Sequence, residues 1–311
     1  MKEQTDFAAV YADIGAQIRA LRVAAGLTQS QLCGTYITRN MLSRIENGAV
    51  HPSVDTLIYI ANRLRVSPAY FLCLNDGERE QVKKSGRIKD ARAHFLSDGY
   101  EKCSQLLRGT KDPEEALMLY ISEGRLAVAD IENSTLGSAL THIRAAREAA
   151  LYTTLKDGLL SEIELLEGFC RFLCGDTVPK PHEVLCAGSS ITDTSLRAFL
   201  FGAALYFDGC IDISPAVSAV PERSAYGMCL EACRLTLCKD YTAALEILNS
   251  ARDSAQSSLC RRLSMSLSEV CFRETGDFRR AYETASAVRE FTESCKKQLS
   301  RQSQPPAKPE A

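Results

Sequence analysis

Two stretches near the carboxyl end of the chain are versions of one another. Lys239-Asp240-Tyr241-Thr242-Ala243-Ala244-Leu245 and Thr275-Gly276-Asp277-Phe278-Arg279-Arg280-Ala281-Tyr282 superimpose at an offset of 37, aromatic on aromatic and Ala244 on Ala281. The spacing continues backwards: Ala244 lies 105 residues after Ala139, three periods of 35, and Ala139 lies 36 after Cys103 in Gly99-Tyr100-Glu101-Lys102-Cys103. A period in the mid-thirties is that of a two-helix unit, which cannot bury its apolar face alone and therefore stacks on its neighbours as a solenoid. Apolar helical stretches alternate with short polar breaks, and strand-like alternation is missing, so all-α is the fold class that fits. The pattern fades between Thr177 and Val220, where Pro179, Pro181, Pro215 and Pro221 interrupt it.

The first quarter of the chain reads differently. Ile14, Ile18, Leu21 and Ala25 recur at helical spacing before Gly26, a residue suited to ending a helix. Thr28 with Gln31 three residues on forms a capping-box pair for a very short helix that ends at Gly34. Thr38 caps the next, which runs to Asn47 with Met41, Leu42 and Ile45 facing inward. Pro52-Ser53 and Ser67-Pro68 start a fourth and a fifth helix. The expected organisation is a five-helix domain over 8–74, a Gly/Glu/Lys-rich linker over 75–88, a helical repeat domain over 89–297 and a disordered tail over 298–311 with three prolines at its end.

Charge is distributed unevenly. Between Ile14 and Leu72 stand six arginines (Arg19, Arg22, Arg39, Arg44, Arg63, Arg65) against Glu46 and Asp55, a local +4 in a chain whose net charge is −2. A basic footprint confined to one small helical domain points to nucleic acid. The chain has no apolar run of roughly 18 residues and no basic segment followed by an apolar stretch at its start, so no membrane and a cytoplasmic location are expected. Thirteen cysteines are an odd number in a chain with no export signal, which argues for reduced thiols rather than a disulfide framework. Cys170 with Cys174 and Cys229 with Cys233 lie four apart, a spacing open to metal or redox chemistry, yet no His or carboxylate completes a ligand set and reduced cysteine packs well where helices cross. The histidines are scattered. With no phosphate loop, nucleophile elbow, H-E-x-x-H or spaced triad, neither catalysis nor a cofactor is implied.

The run Leu27-Thr28-Gln29-Ser30-Gln31-Leu32-Cys33, then Ile37-Thr38-Arg39-Asn40-Met41-Leu42-Ser43-Arg44-Ile45-Glu46-Asn47-Gly48, then Pro52-Ser53 with Thr56-Leu57, resembles the Cro/repressor-type (Xre) helix-turn-helix family over about sixty residues. Its turn between the second and third helices is one residue shorter than the commonest pattern. The resemblance implies that the helix opened by Thr38 enters the major groove of double-stranded DNA, a channel about 12 Å wide that accepts one α-helix. Arg39, Asn40 and Ser43 stand at its leading end. Arg39 would pair with guanine and Asn40 with adenine, Arg44 would reach a base or a phosphate, and Gln29 would anchor a phosphate. The competing reading makes Arg39 and Asn40 plain solvated surface. Glu46 is expected to be structural, paired with Arg19 or Arg22. One such domain buries only roughly 600 to 1,000 Å² on DNA, so a homodimer on two half-sites is expected, with the repeats as its interface.

The repeats resemble tetratricopeptide repeats. A helix-turn-helix domain followed by such repeats is similar in plan to the peptide-responsive RRNPP regulators, the Rgg and PlcR types. That resemblance implies a peptide or small-molecule effector on the concave face; Arg144, Arg147, Arg234 and Asn249 are possible contributors, but each reads first as an ordinary solvated residue of a helix face. The alternative is a DNA-tethered adaptor or antitoxin-like repressor whose repeats bind a protein.

Overall fold

The computed structural model describes residues 7–73, 75–186, 191–254 and 257–302, and among them every regular element is a helix. The chain divides into two compact units, Met1–Ala93 and His94–Ala311.

In the first unit α1 (Phe7–Ala24), α2 (Gln29–Cys33), α3 (Arg39–Glu46) and α4 (Val54–Leu64) are followed by a 3₁₀ stretch, Pro68–Leu72, and by α5 (Asp76–Leu96). Three starts are fixed by hydroxyl caps, each accepting a backbone N–H: Thr28 from Gln31, Thr38 from Met41 and Ser53 from Thr56. At Thr28 the box is complete, since Gln31 Oε1 also accepts the Thr28 N–H at 2.8 Å. Each cap contributes about 1 kcal/mol, which matters for helices of five and eight residues. Ile18, Leu32, Leu42 and Ile60 are fully buried, and Phe71 closes the core from the 3₁₀ stretch. The fifth helix expected at Ser67-Pro68 is therefore this single 3₁₀ turn. Its five residues begin with Pro68 behind a Ser67 cap, and short stretches of this kind are where 3₁₀ geometry is most often found.

The segment 75–88, expected as a linker, is helical. Asn75 Oδ1 accepts the Glu78 N–H at 2.9 Å, and Arg79 bonds Asp76, Asp13 and the Cys73 carbonyl. Lys83 lies 5.2 Å from the Tyr70 ring. Capping and ion pairs hold this helix where its sequence offers little apolar surface.

The second unit comprises α6 (Tyr100–Leu107), α7 (Pro113–Glu132), α8 (Leu136–Ala150), α9 (Lys156–Leu173), α10 (Pro181–Cys186), α11 (Thr194–Phe207), α12 (Ser214–Ser218), α13 (Ala225–Leu237), α14 (Tyr241–Ser254), α15 (Ser258–Glu274) and α16 (Phe278–Gln302). Within this unit a residue at positive φ marks the turn inside each helix pair from α7 onward: Ser134, Gly175, Gly209, Lys239 and Gly276. The period thus runs unbroken through the stretch where the sequence pattern fades. There the second helices shrink to six residues in α10 and five in α12, with Pro181 and Pro215 in their first turns. Cys103, Ala139 and Ala244 are fully buried and Ala281 nearly so, the small residues that let each second helix approach its neighbours. First helices pack on one another (α7 on α9, α11 on α13, α13 on α15) and form the inner layer.

The array also returns on itself. α16 packs on α8 and α15 on both α7 and α9. Gln298 Oε1 accepts the Leu136 N–H at 3.2 Å, and Ser134 bonds Ser258. Since Gln298 does this from within α16, which continues to Gln302, residues 298–302 of the expected tail are helical; the rest of it, 303–311, lies outside the described residues.

Buried polar groups join neighbouring helices. Glu123 of α7 accepts from Ser104 of α6 and meets His142 Nδ1 of α8, while Glu162 of α9 takes the Tyr120 hydroxyl and the Ile191 N–H. Burial raises the thiols of Cys170 and Cys174 to about 12 and about 11, so both stay protonated and pack as small hydrophobes.

Candidate nucleic-acid interface

α3 is divided along its length. Leu42 and Ile45 face the core with Glu46 beside them, while Thr38, Arg39, Asn40 and Arg44 are exposed and Ser43 is half-buried. The Thr38 cap starts the helix at Arg39, so its first turn carries Arg39 and Asn40 outward. Ser43 and Arg44 follow four residues behind each of them, on the same side. Arg39, Asn40 and Arg44 have no side-chain hydrogen bond or ion pair among the described residues. The five residues expected from the α3 sequence therefore share one accessible side.

Gln29 is placed differently. Its amide Nε2 donates to Glu46 Oε2 at 2.9 Å, which leaves one N–H of the amide uncommitted. Glu46 also receives Arg22 Nε at 2.6 Å and Arg22 Nη2 at 3.0 Å, and Arg22 Nη1 donates to the Leu27 carbonyl at 2.9 Å. Of the two arginines expected as partners, Arg22 makes the bonds. Burial alone would raise the Glu46 pKa, but the hydrogen bonds from Arg22 and Gln29 and the charges of Arg22 and Arg19 outweigh it and hold the carboxylate below its usual range. One buried carboxylate thereby ties α1, the start of α2 and the end of α3 together, fixing the angle at which α3 is presented. Gly15 completes the clamp: a Cβ there would lie 2.2 Å from the Ile45 carbonyl oxygen.

The turn between α2 and α3 is set by Gly34, at φ +54, where a Cβ would meet the Tyr59 hydroxyl at 2.4 Å. That hydroxyl donates to the Cys33 carbonyl at 2.8 Å. Tyr36 stacks on Tyr59 with ring centres 4.6 Å apart, Arg63 lies 5.8 Å from the Tyr59 ring, and Arg63 Nη2 donates to the Gln31 carbonyl at 2.7 Å. This exposed aromatic and basic ledge beside the start of α3 was not among the sequence-derived candidates. Tyr36 within the turn and Arg63 within the basic footprint were its only signals.

In the repeats, Arg147 pairs with Glu167 and Arg234 with Glu231. Arg144 and Asn249 lie exposed on the second helices α8 and α14, away from the inner layer. Among the described residues no helix is long and apolar enough to cross a membrane.

Residues 18–71 match a helix-turn-helix family model. No curated protein matches the sequence. Among solved structures the chain is similar to PlcR of Bacillus thuringiensis in complex with the peptide PapR7 and DNA, at 19% identity over 94% of this chain and 98% of that one with a TM-score of 0.22. It is also similar to ComR of S. thermophilus in complex with DNA and its signalling peptide ComS, at 17% identity over 94% and 100% of the two chains and a TM-score of 0.28. ComR of Streptococcus vestibularis with its cognate signaling peptide XIP gives 17% identity, 95% and 100% coverage and a TM-score of 0.31. At these identities and TM-scores the overlap is too loose to bear on function.

Proposed function

We propose that the chain is a sequence-specific DNA-binding transcriptional regulator that works as a homodimer and responds to a peptide or small-molecule effector held by its repeats. The observation that carries the DNA-binding part is the state of α3. One side is locked to the core through Leu42, Ile45 and the Glu46 network, while Arg39, Asn40 and Arg44 stand exposed without a partner among the described residues. Polar side chains on a rigid, short helix with their hydrogen-bonding capacity unused are what base-edge reading requires. In this reading Arg39 and Asn40 contact bases, Thr38, Ser43 and Arg44 support them at bases or phosphates, and the free N–H of Gln29 reaches a phosphate.

The test is a duplex site selected from a random pool by the full chain, then binding of that site and of a scrambled one by fluorescence anisotropy. Arg39→Ala is expected to cost about 1 to 3 kcal/mol on the selected site and little on the scrambled one. Gln29→Ala is expected to weaken both alike. Equal losses on the two duplexes for Arg39→Ala would remove the base-reading role.

A second reading, in which the repeats dock a protein, is favoured by Phe278 and Tyr282, which lie one turn apart on α16 and are 70% and 75% exposed. The same pair suits a dimer contact. Sedimentation of Phe278→Ser/Tyr282→Ser separates the two: a wild-type dimer turned monomer assigns the patch to self-association, and an unchanged state assigns it to a foreign protein.

A further inference from the structure

The inner layer of the repeats holds a cation that has no anion beside it among the described residues. Arg262 of α15 is 91% buried, and no carboxylate lies within ion-pair distance of it among the described residues. Its guanidinium stands 5.5 Å from the Phe172 ring, Nη1 donates to Ser266, and Nε is buried with no hydrogen-bond partner. Among the described residues Cys295 is the ionisable neighbour that acts on it, and burial keeps that thiol neutral. The guanidinium pKa is pulled down by its own burial, the direction of a cation with nothing to hold it. Burying a guanidinium without a counter-charge is unfavourable, because the water it gives up is not replaced.

One turn further along the same face of α15, Ser266 opens onto a cavity of about 360 Å³ lined also by Tyr206 and Phe207 of α11, Leu237 of α13, and Leu267 and Val270 of α15. All three helices belong to the inner layer. The arginine adjoins the cavity's wall: Ser266, which lines it, accepts from Nη1, and Phe207 meets edge-on at 6.2 Å the Phe172 ring that lies under the guanidinium. Phe207 keeps 43% of its surface exposed and forms part of the cavity wall. The volume falls at the small end of ligand pockets, enough for one or two apolar side chains.

We propose that Arg262 and this cavity form a two-part receptor for a short peptide that carries a carboxylate beside a bulky apolar side chain, with the carboxylate on the guanidinium and the apolar group against Phe207 and Leu237. Four residues of helix place the two parts about 6 Å apart, the reach of neighbouring groups on one peptide residue. The proposal rests on the effector reading above and adds where the effector sits and which charge it brings. A bound carboxylate supplies the missing counter-charge and a partner for Nε, which accounts for an arginine that serves the empty protein poorly.

The full chain is mixed with three pools of synthetic heptapeptides, and peptides that co-elute with it in gel filtration are identified by mass spectrometry. One pool has free carboxyl termini, the second is amidated and contains Asp or Glu, and the third is amidated and contains no acid. Retention from the first pool places the carboxylate at the peptide terminus, and retention from the second places it on a side chain; either supports the proposal. Arg262→Met is expected to lower that retention about tenfold or more while raising the melting temperature of the free chain. Phe207→Ala, which trims the exposed wall, is expected to weaken the same peptides with little change in melting temperature. Retention that ignores both the carboxylate and Arg262 overturns this site and leaves the effector reading standing. A lower melting temperature for Arg262→Met with retention unchanged marks the arginine as purely structural. Wild-type protein that retains nothing from any pool overturns this site together with the peptide form of the effector reading.

Discussion

Arg22→Met isolates the Glu46 clamp and has a magnitude that can be worked from the geometry. The substitution removes a two-point charged contact at 2.6 and 3.0 Å and the bond to the Leu27 carbonyl, leaving a carboxylate whose side chain is 2% exposed with Gln29 alone. Breaking a buried pair from one side costs about 3 to 5 kcal/mol. The carboxylate can escape by taking a proton, which from an ordinary value of about 4.3 costs about 4 kcal/mol at pH 7 and about 1 kcal/mol at pH 5. The sign follows from both proteins. In the wild type the depressed Glu46 pKa contributes stability present above the unfolded value and lost as pH falls through the folded one. In the variant the folded value is raised, so its penalty exists only above the unfolded value. The difference should therefore be about 4 kcal/mol at pH 7 and shrink to about 1 kcal/mol at pH 5. Hydrogen-exchange mass spectrometry of full-length wild type and variant, read on peptides from α1 to α3, measures it locally. A difference below about 1 kcal/mol at pH 7, the range of surface pairs, or one that does not shrink at pH 5, would refute the reasoning. Arg22→Met/Glu46→Met should recover most of the loss, since neither charge is then stranded.

Gly15→Ala would gain about 1 kcal/mol of helix propensity, but its methyl must intrude on the Ile45 carbonyl. A lower melting temperature and weaker DNA binding together are expected; a more stable protein would mean that α1 and α3 sit farther apart. For His142, the hydrogen bond its ring donates to Glu123 outweighs burial and raises the pKa, with the charges of Glu123, Asp130 and Glu101 adding to it. That contribution is fully present below the unfolded value of about 6.5 and is lost as pH rises through the folded one. Hydrogen exchange in α6 to α8 should accordingly be slower at pH 6 than at pH 8 after correction for intrinsic rates, and His142→Gln should flatten the difference.

The parts of the molecule governed by local rules could be read from the sequence. The Thr28 box and the Thr38 and Ser53 caps form as the residues dictate, because each needs only neighbours three positions away. The exposed side of α3 followed from the buried positions of Leu42 and Ile45. What escaped needs distance or compensation. The middle repeats were hidden because prolines shorten their second helices while Gly175 and Gly209 keep the turn. The helix over 75–88 was hidden because caps and ions, not an apolar stripe, hold it. Gln29 looked free because its acceptor, Glu46, lies 17 residues away. Arg262 carries no signal in the sequence, since nothing local says that α15 will be pressed against α9.

The contact of α16 with α8 sets a timing problem for the newborn chain. Gln298, which accepts the Leu136 N–H, leaves the ribosome 162 residues after it, an interval on the order of ten seconds or more at about 5 to 20 residues per second. For that time α8 presents a bare flank that only the end of the same polypeptide can cover. A ribosome stalled before α16 would therefore carry several intact helix pairs and one sticky seam, and a chaperone that shields α8 would matter more here than in an open array whose units finish one by one.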